Sequence, residues 1–78
     1  MRGYAQDNPF EHEREKLGRT IKGIRERKDM TQEDLAARAH IDVSYLAKIE
    51  NGYVNTTIRY LIKISRGLGV KAKDLLDF

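Results

Sequence analysis

At 78 residues with a net charge of +3 and a pI near 9.3, the chain has length for one small domain and a basic balance suited to polyanionic partners. It has no cysteine, which excludes disulfides and thiolate metal sites, so stability must come from packing, helped by oligomerisation. No apolar run approaches the roughly 18 residues that span a membrane, and no secretory signal is visible, so the expected location is the cytoplasm.

Residues 1–10 carry Gly3, Asn8 and Pro9 without apolar periodicity and read as a flexible N-terminal arm, or as a vestigial tag. A folded domain is expected over residues 11–78. From about Glu11 to Lys28, Leu17, Ile21, Ile24 and Arg25 recur at helical spacing and predict a first helix. Gly18 and Gly23 each lower its propensity by roughly 1 kcal/mol, so tertiary packing must hold it. Met30 follows as a core plug.

Thr31 opens a second helix: its hydroxyl suits the exposed amides of the first turn, and Glu33 and Asp34 complement the positive end. Leu35, Ala36 and Ala39 form the inward face, with Ala36 small enough for a close crossing. His40-Ile41 is the turn, and His40 stands where a helix C-terminal glycine is expected, in a conformation that histidine tolerates better than most residues. Asp42 caps a third helix from Val43 to about Asn51, with Leu46 and Ile49 inward and Gly52 ending it. Two short helices joined by a tight turn are the layout of a helix-turn-helix, which lays its second helix in the major groove of DNA. Asn55-Thr56-Thr57 caps a fourth helix bearing Ile58, Leu61, Ile62, Ile64 and Leu68, terminated by Gly67 and Gly69. Val70 leads into a short fifth helix with Leu75, Leu76 and Phe78. The expected fold class is therefore all-α, a compact domain of five helices.

The outer face of the third helix follows from its inner one. With Leu46 and Ile49 inward, Val43, Ser44, Ala47 and Lys48 point outward and Tyr45 lies at the flank. Lys48 can donate to guanine O6 and N7, Ser44 can serve a donor or an acceptor, and Val43 can pack on a thymine methyl. The alternative is an ordinary solvated face. Tyr45 either reaches a phosphate with its hydroxyl or packs on the scaffold. The fourth helix is apolar over more than one face, and Ile58, Leu61, Ile62 and Leu68 cannot all fit in so small a core. With Leu75, Leu76 and Phe78 they predict an exposed apolar patch and a homodimer, Ile62, Leu68, Leu75 and Phe78 being the candidate interface. The alternative is that Leu75 and Phe78 only cover the base of the core.

In order and spacing, Leu17-Gly18-Arg19-Thr20-Ile21 with Ile24-Arg25, Thr31-Gln32-Glu33-Asp34-Leu35-Ala36, Tyr45-Leu46-Ala47-Lys48-Ile49-Glu50-Asn51-Gly52, and Leu61-Ile62-Lys63-Ile64 with Leu68-Gly69-Val70 resemble the lambda-repressor and Cro type of helix-turn-helix proteins, the XRE family. The likeness runs from about Leu17 to Leu76. It implies a lambda-repressor-like domain that acts as a sequence-specific transcriptional regulator, a homodimer on a palindromic operator. By the same resemblance Gln32 hydrogen-bonds a DNA phosphate, at a helix amino terminus where a phosphate also gains from the dipole. Its alternative is a plain polar residue near a helix start. Asn51 and the backbone after Gly52 would clasp a second phosphate, with Tyr53, Asn55 and Thr57 nearby, although Asn51 also suits a helix cap. The family pairs an arginine of the first helix with the glutamate of its Ile-Glu motif, which here means Arg25 and Glu50 as an ion pair orienting the recognition helix. The alternative is two unrelated surface charges.

Ile-Glu followed by Asn55-x-Thr57-Ile58-Arg59 resembles the controller proteins of restriction–modification systems, which activate at low and repress at high occupancy. Phage Cro-like repressors and antitoxin-type autoregulators share most of these residues and remain alternatives, as does, in another class, an adaptor that has lost DNA binding. The expected partners are double-stranded DNA, a second copy of the chain and, for activation, RNA polymerase, with residence on the nucleoid when bound. No membrane, small-molecule ligand, cofactor or metal is expected. His12 and His40 are isolated in register, and no nucleophile or carboxylate pair has catalytic spacing, so the chain does not read as an enzyme.

Overall fold

A computed structural model of the chain describes residues 10–76 and Phe78. The expected arm lies outside the described residues except for Phe10, the N-cap residue of the first helix. Four α-helices follow: α1 (Glu11–Arg27), α2 (Gln32–Ala39), α3 (Val43–Glu50) and α4 (Ile58–Leu68). No strand occurs among the described residues. The expected fifth helix is instead a single 3-10 turn, Ala72–Leu75. The Lys71 amide donates to the Asp74 carboxylate at 3.0 Å and Asp74 N–H to the Lys71 carbonyl at 2.9 Å, which closes the turn upon itself. Leu76 then leaves helical geometry at φ −100° and ψ 71°.

Local chemistry sets most helix boundaries. Thr31, Asp42 and Thr57 stand in extended backbone and each accepts a first-turn amide with its side chain. At α2 the cap is reciprocal, because Asp34 Oδ2 accepts the Thr31 amide at 2.9 Å. The four carboxyl ends share one device. A left-handed residue, Asp29, His40, Gly52 or Gly69, follows each helix. The next amide then bonds back five residues: Met30 to Arg25, Ile41 to Ala36, Tyr53 to Lys48 and Val70 to Ser65. Met30 is buried in the core, and Ile41 and Val70 pack against it, so three ends are pinned by apolar contact. The fourth, after α3, places Tyr53 in solvent with 72% of its surface exposed.

The core is built from Leu17, Ile21 and Ile24 of α1, Leu35 and Ala36 of α2, Leu46 and Ile49 of α3, and Leu61, Ile64 and Leu68 of α4, with Met30 and Leu75 closing it. α1 packs on α3 and α2 on α4. Gly18 is the contact point of the first pair: a Cβ there would stand 2.6 Å from the Ile49 carbonyl oxygen, so only glycine allows this approach. Gly67 likewise serves the second pair. It lies inside α4 rather than terminating it, and its added Cβ would meet Leu35 Cδ1 at 3.0 Å and the Ala39 nitrogen at 3.1 Å. Gly69 alone ends α4.

Two residues expected at a dimer interface are core residues. Leu68 is 2% and Leu75 0% exposed within the single chain, because α4 turns that edge toward α2 and the 3-10 turn folds beneath it. On α4 and at the carboxyl end the apolar side chains left outside are Ile58 (75% exposed) and Ile62, then Leu76 and Phe78 (59%).

Candidate nucleic-acid interface

The angle between α2 and α3 is fixed from below by one polar cluster. Arg25 reaches from α1 and grips Glu50, the last residue of α3, with Nε to Oε2 at 2.8 Å and Nη2 to Oε1 at 3.0 Å. Its third nitrogen, Nη1, donates to the Met30 carbonyl at 2.8 Å. The side chains are 9% and 1% exposed, so this is a buried bidentate pair and not two surface charges. The hydrogen bond to Glu50 raises the Arg25 pKa and keeps the guanidinium charged despite its burial. Gln32, the first residue of α2, joins the cluster: its Nε2 donates to Glu50 Oε1 at 3.0 Å. A carboxylate only accepts, so this bond fixes which end of the amide faces inward. Among the described residues the Gln32 amide has no second hydrogen-bond partner, and it sits at a helix amino terminus. The family resemblance implied Arg25 and Glu50 as partners; it did not imply the tie from Gln32, and no local pattern joins residues 18 positions apart.

On the outer face of α3, Val43, Ser44 and Lys48 are exposed and Ala47 is half-buried. Asp42 caps the helix, accepting from the Tyr45 amide at 3.3 Å and from the Ser44 hydroxyl. These two bonds, that from Ser44 the stronger influence, hold the Asp42 carboxyl below the usual carboxylate range. Tyr45 is half-buried and packs against the core, its ring tilted on that of Tyr60 with centroids 4.7 Å apart. Of the two expectations for Tyr45, the scaffold contact is present. Lys63 completes this flank, with Nζ 3.1 Å from the His40 carbonyl and 5.7 Å from the centre of the Tyr60 ring. Tyr60 and Lys63 have no signal in sequence beyond their place on α4; only folding brings α4 against the turn.

The segment after α3 is held from α1. Arg14 donates through Nε to the Gly52 carbonyl at 3.1 Å, and its Nη1 stands 3.5 Å from Asn55 Oδ1. Asn51 is exposed and forms the C-cap of α3, its amide bonded to Ala47. The Thr57 hydroxyl accepts the Tyr60 amide at 3.2 Å and starts α4. Gln32, Asn51, Asn55 and Thr57 thus flank the two ends of the α2–α3 unit. Arg14 is thereby committed to this loop.

A helix-turn-helix family model matches residues 21–75, which covers every element just described except the first half of α1. The chain belongs to the helix-turn-helix family. It is 40% identical over 63 residues to the control protein C.BamHI of Bacillus amyloliquefaciens, covering 80% of this chain and 78% of that protein. It is 39% identical over 63 residues to the control protein C.MunI of a Mycoplasma species, covering 80% and 85%. Among solved structures it matches the restriction-modification controller protein C.AhdI of Aeromonas hydrophila with a TM-score of 0.80 at 26% identity, over 82% of this chain and 97% of that one. This helix-turn-helix protein is thus a DNA-binding transcriptional regulator of the XRE type, from a family of regulators and not of enzymes. Among the described residues no helix is long and apolar enough to cross a membrane.

Proposed function

We propose that the protein is a homodimeric, sequence-specific regulator of a restriction–modification system that binds a palindromic operator near its own gene. One observation carries the reading: Ser44 and Lys48 stand exposed one turn apart on the outer face of α3, while Glu50 at the inner end of that helix is locked to Arg25 and Gln32. A recognition helix must present donors and acceptors at a fixed depth and angle, and a buried bidentate anchor supplies that rigidity. Val43 packs on a thymine methyl, Lys48 donates to guanine, and Ser44 contacts a neighbouring base. Gln32, through its free amide hydrogen, Tyr45 and Asn51 contact phosphates and set the register, with Asn55 and Thr57 at the edge.

Dimerisation follows from area. A single recognition helix buries too little surface for selective binding, and a twofold pair reads two half-sites about one helical turn apart. Ile62 and Phe78, joined by Ile58 and Leu76, supply the apolar surface for it. The names of the control-protein relatives support the restriction–modification assignment, and contact with RNA polymerase would account for activation.

Footprinting on DNA from upstream of the gene tests this. Two protected half-sites centred about 10 base pairs apart are expected, with binding that weakens steeply with salt yet survives non-specific competitor. Binding that the competitor abolishes would reduce the domain to a non-specific or adaptor role.

A further inference from the structure

Ser44 is the second residue of α3, and its hydroxyl already has a partner. Two positions earlier stands Asp42, the cap residue, and Ser44 Oγ hydrogen-bonds Asp42 Oδ2. The same oxygen accepts the Tyr45 amide at 3.3 Å, and Lys48 lies one turn further on. The bond from Ser44, the Tyr45 amide and the charge of Lys48 all keep the Asp42 carboxyl ionised, below its ordinary range. An ionised carboxylate has no proton to give, so the proton in this contact belongs to Ser44. A serine hydroxyl has one proton and two lone pairs; with the proton turned back toward the cap, only lone pairs face outward.

We propose that Ser44 reads the major groove solely as an acceptor, so that α3 selects at that position a base whose exocyclic amino group lies in that groove, adenine or cytosine. Only adenine N6 and cytosine N4 are major-groove donors, whereas guanine N7 and O6 and thymine O4 accept. An uncommitted serine serves either kind. Here, donating to guanine or thymine means giving up a bond to a charged acceptor for one to a neutral acceptor, and charge-assisted hydrogen bonds are about twice as strong. Lys48 has the opposite polarity, being a donor only. Since residues four apart share a helix face, α3 presents one acceptor and one donor in fixed order along the groove. This inference rests on the DNA-binding reading above and adds to it a sign for each contact.

The full chain is first used to select a tight duplex from a pool with a randomised 20-base-pair core. Each adenine in the selected duplex is then replaced by purine deoxyriboside, and each cytosine by 2-pyrimidinone deoxyriboside, which lack only the amino group. Dissociation constants are measured for the wild type and Ser44→Ala, an exposed change that leaves the core intact. At one position in each half-site, loss of the amino group is expected to weaken the wild type about tenfold and Ser44→Ala less than about twofold. Equal weakening of both proteins at every position overturns the proposal. So does a coupling of Ser44 to guanine N7, read with 7-deazaguanine. Asp42→Asn keeps a capping side chain but removes the charge. It is expected to bring guanine or thymine at that position within about threefold of the selected base; undiminished rejection would remove Asp42 as the source of the polarity. If the wild type enriches no sequence from the pool, the DNA-binding reading itself has failed and this inference falls with it.

Discussion

The face around α2 and α3 and the face around the start of α4 and the carboxyl end solve opposite problems with the same small core. On the first, charged and polar side chains are partnered: Arg25 and Glu50 form a buried pair joined by half-buried Gln32, and exposed Asp42 gathers Ser44 and the Tyr45 amide. On the second, apolar side chains are left outward: Ile58, Ile62, Leu76 and Phe78. A small fold can bury only so much, so what it buries is informative. It spends burial on an ion pair that sets an angle, and leaves hydrophobic surface over for a partner. Rigid presentation and association are thus assigned to different edges of one domain.

The contrast predicts unequal responses to single changes. The largest effect is expected from Glu50→Ala, which strands a buried Arg25 and frees Gln32. Removing one member of a buried pair costs about 3–5 kcal/mol, so the melting temperature should fall by well over about 10 °C, together with operator affinity. An unchanged melting temperature would mean the pair does not anchor α3. On the opposite face, Ile58→Asp should leave the stability of the monomer within about 0.5 kcal/mol, since the side chain is exposed. It should nonetheless convert dimers to monomers in sedimentation and weaken operator binding by about 100-fold through lost avidity. A variant that remains dimeric would move the interface elsewhere.

The smallest effect concerns the caps. Asp34 and Asp42 are exposed and their carboxyls lie below the ordinary range, Asp34 chiefly through its bond from the Thr31 amide and Asp42 chiefly through that from Ser44. A depressed folded-state value means the stabilisation is present above the unfolded value, about 3.9, and is lost as pH falls through the folded one. Thermal melts should therefore be flat in this respect above about pH 5 and decline below about pH 4. Asn at both positions should flatten that decline; an identical acid profile would show that other carboxylates carry it.

Much of the interface was legible because its rules are local. Thr31, Asp42 and Thr57 cap helices by hydrogen bonds that span three residues, and His40 takes the left-handed conformation that its place in the turn predicts. The Arg25–Glu50 pair was legible only through family likeness, since nothing local joins residues 25 positions apart. Gly18 and Gly67 were read as a propensity cost and a helix stop. Both are closest-approach points between helices, a property that belongs to the pair and not to either sequence segment. The fifth helix failed for a simpler reason: closed by Asp74, the turn buries Leu75 and has nothing to gain from another turn.

The sequence by itself determined the all-helical character of the described residues, the positions of the four helices and their caps, because periodicity and capping act over a few residues; membership in a helix-turn-helix family came from the resemblance of its motifs. Only the tertiary structure decided which apolar residues are inside. Ile58, Ile62, Leu68 and Leu75 are alike apolar in sequence, yet the packing of α4 on α2 submerges Leu68, that of the 3-10 turn on α4 and α1 submerges Leu75, and Ile58 and Ile62 are left outside. It also decided that Gln32 is held by Glu50 and that Tyr45 leans on Tyr60, for these contacts exist only once distant segments meet. A pattern fixes which side of a helix is apolar; only its neighbours fix how much of that side is covered.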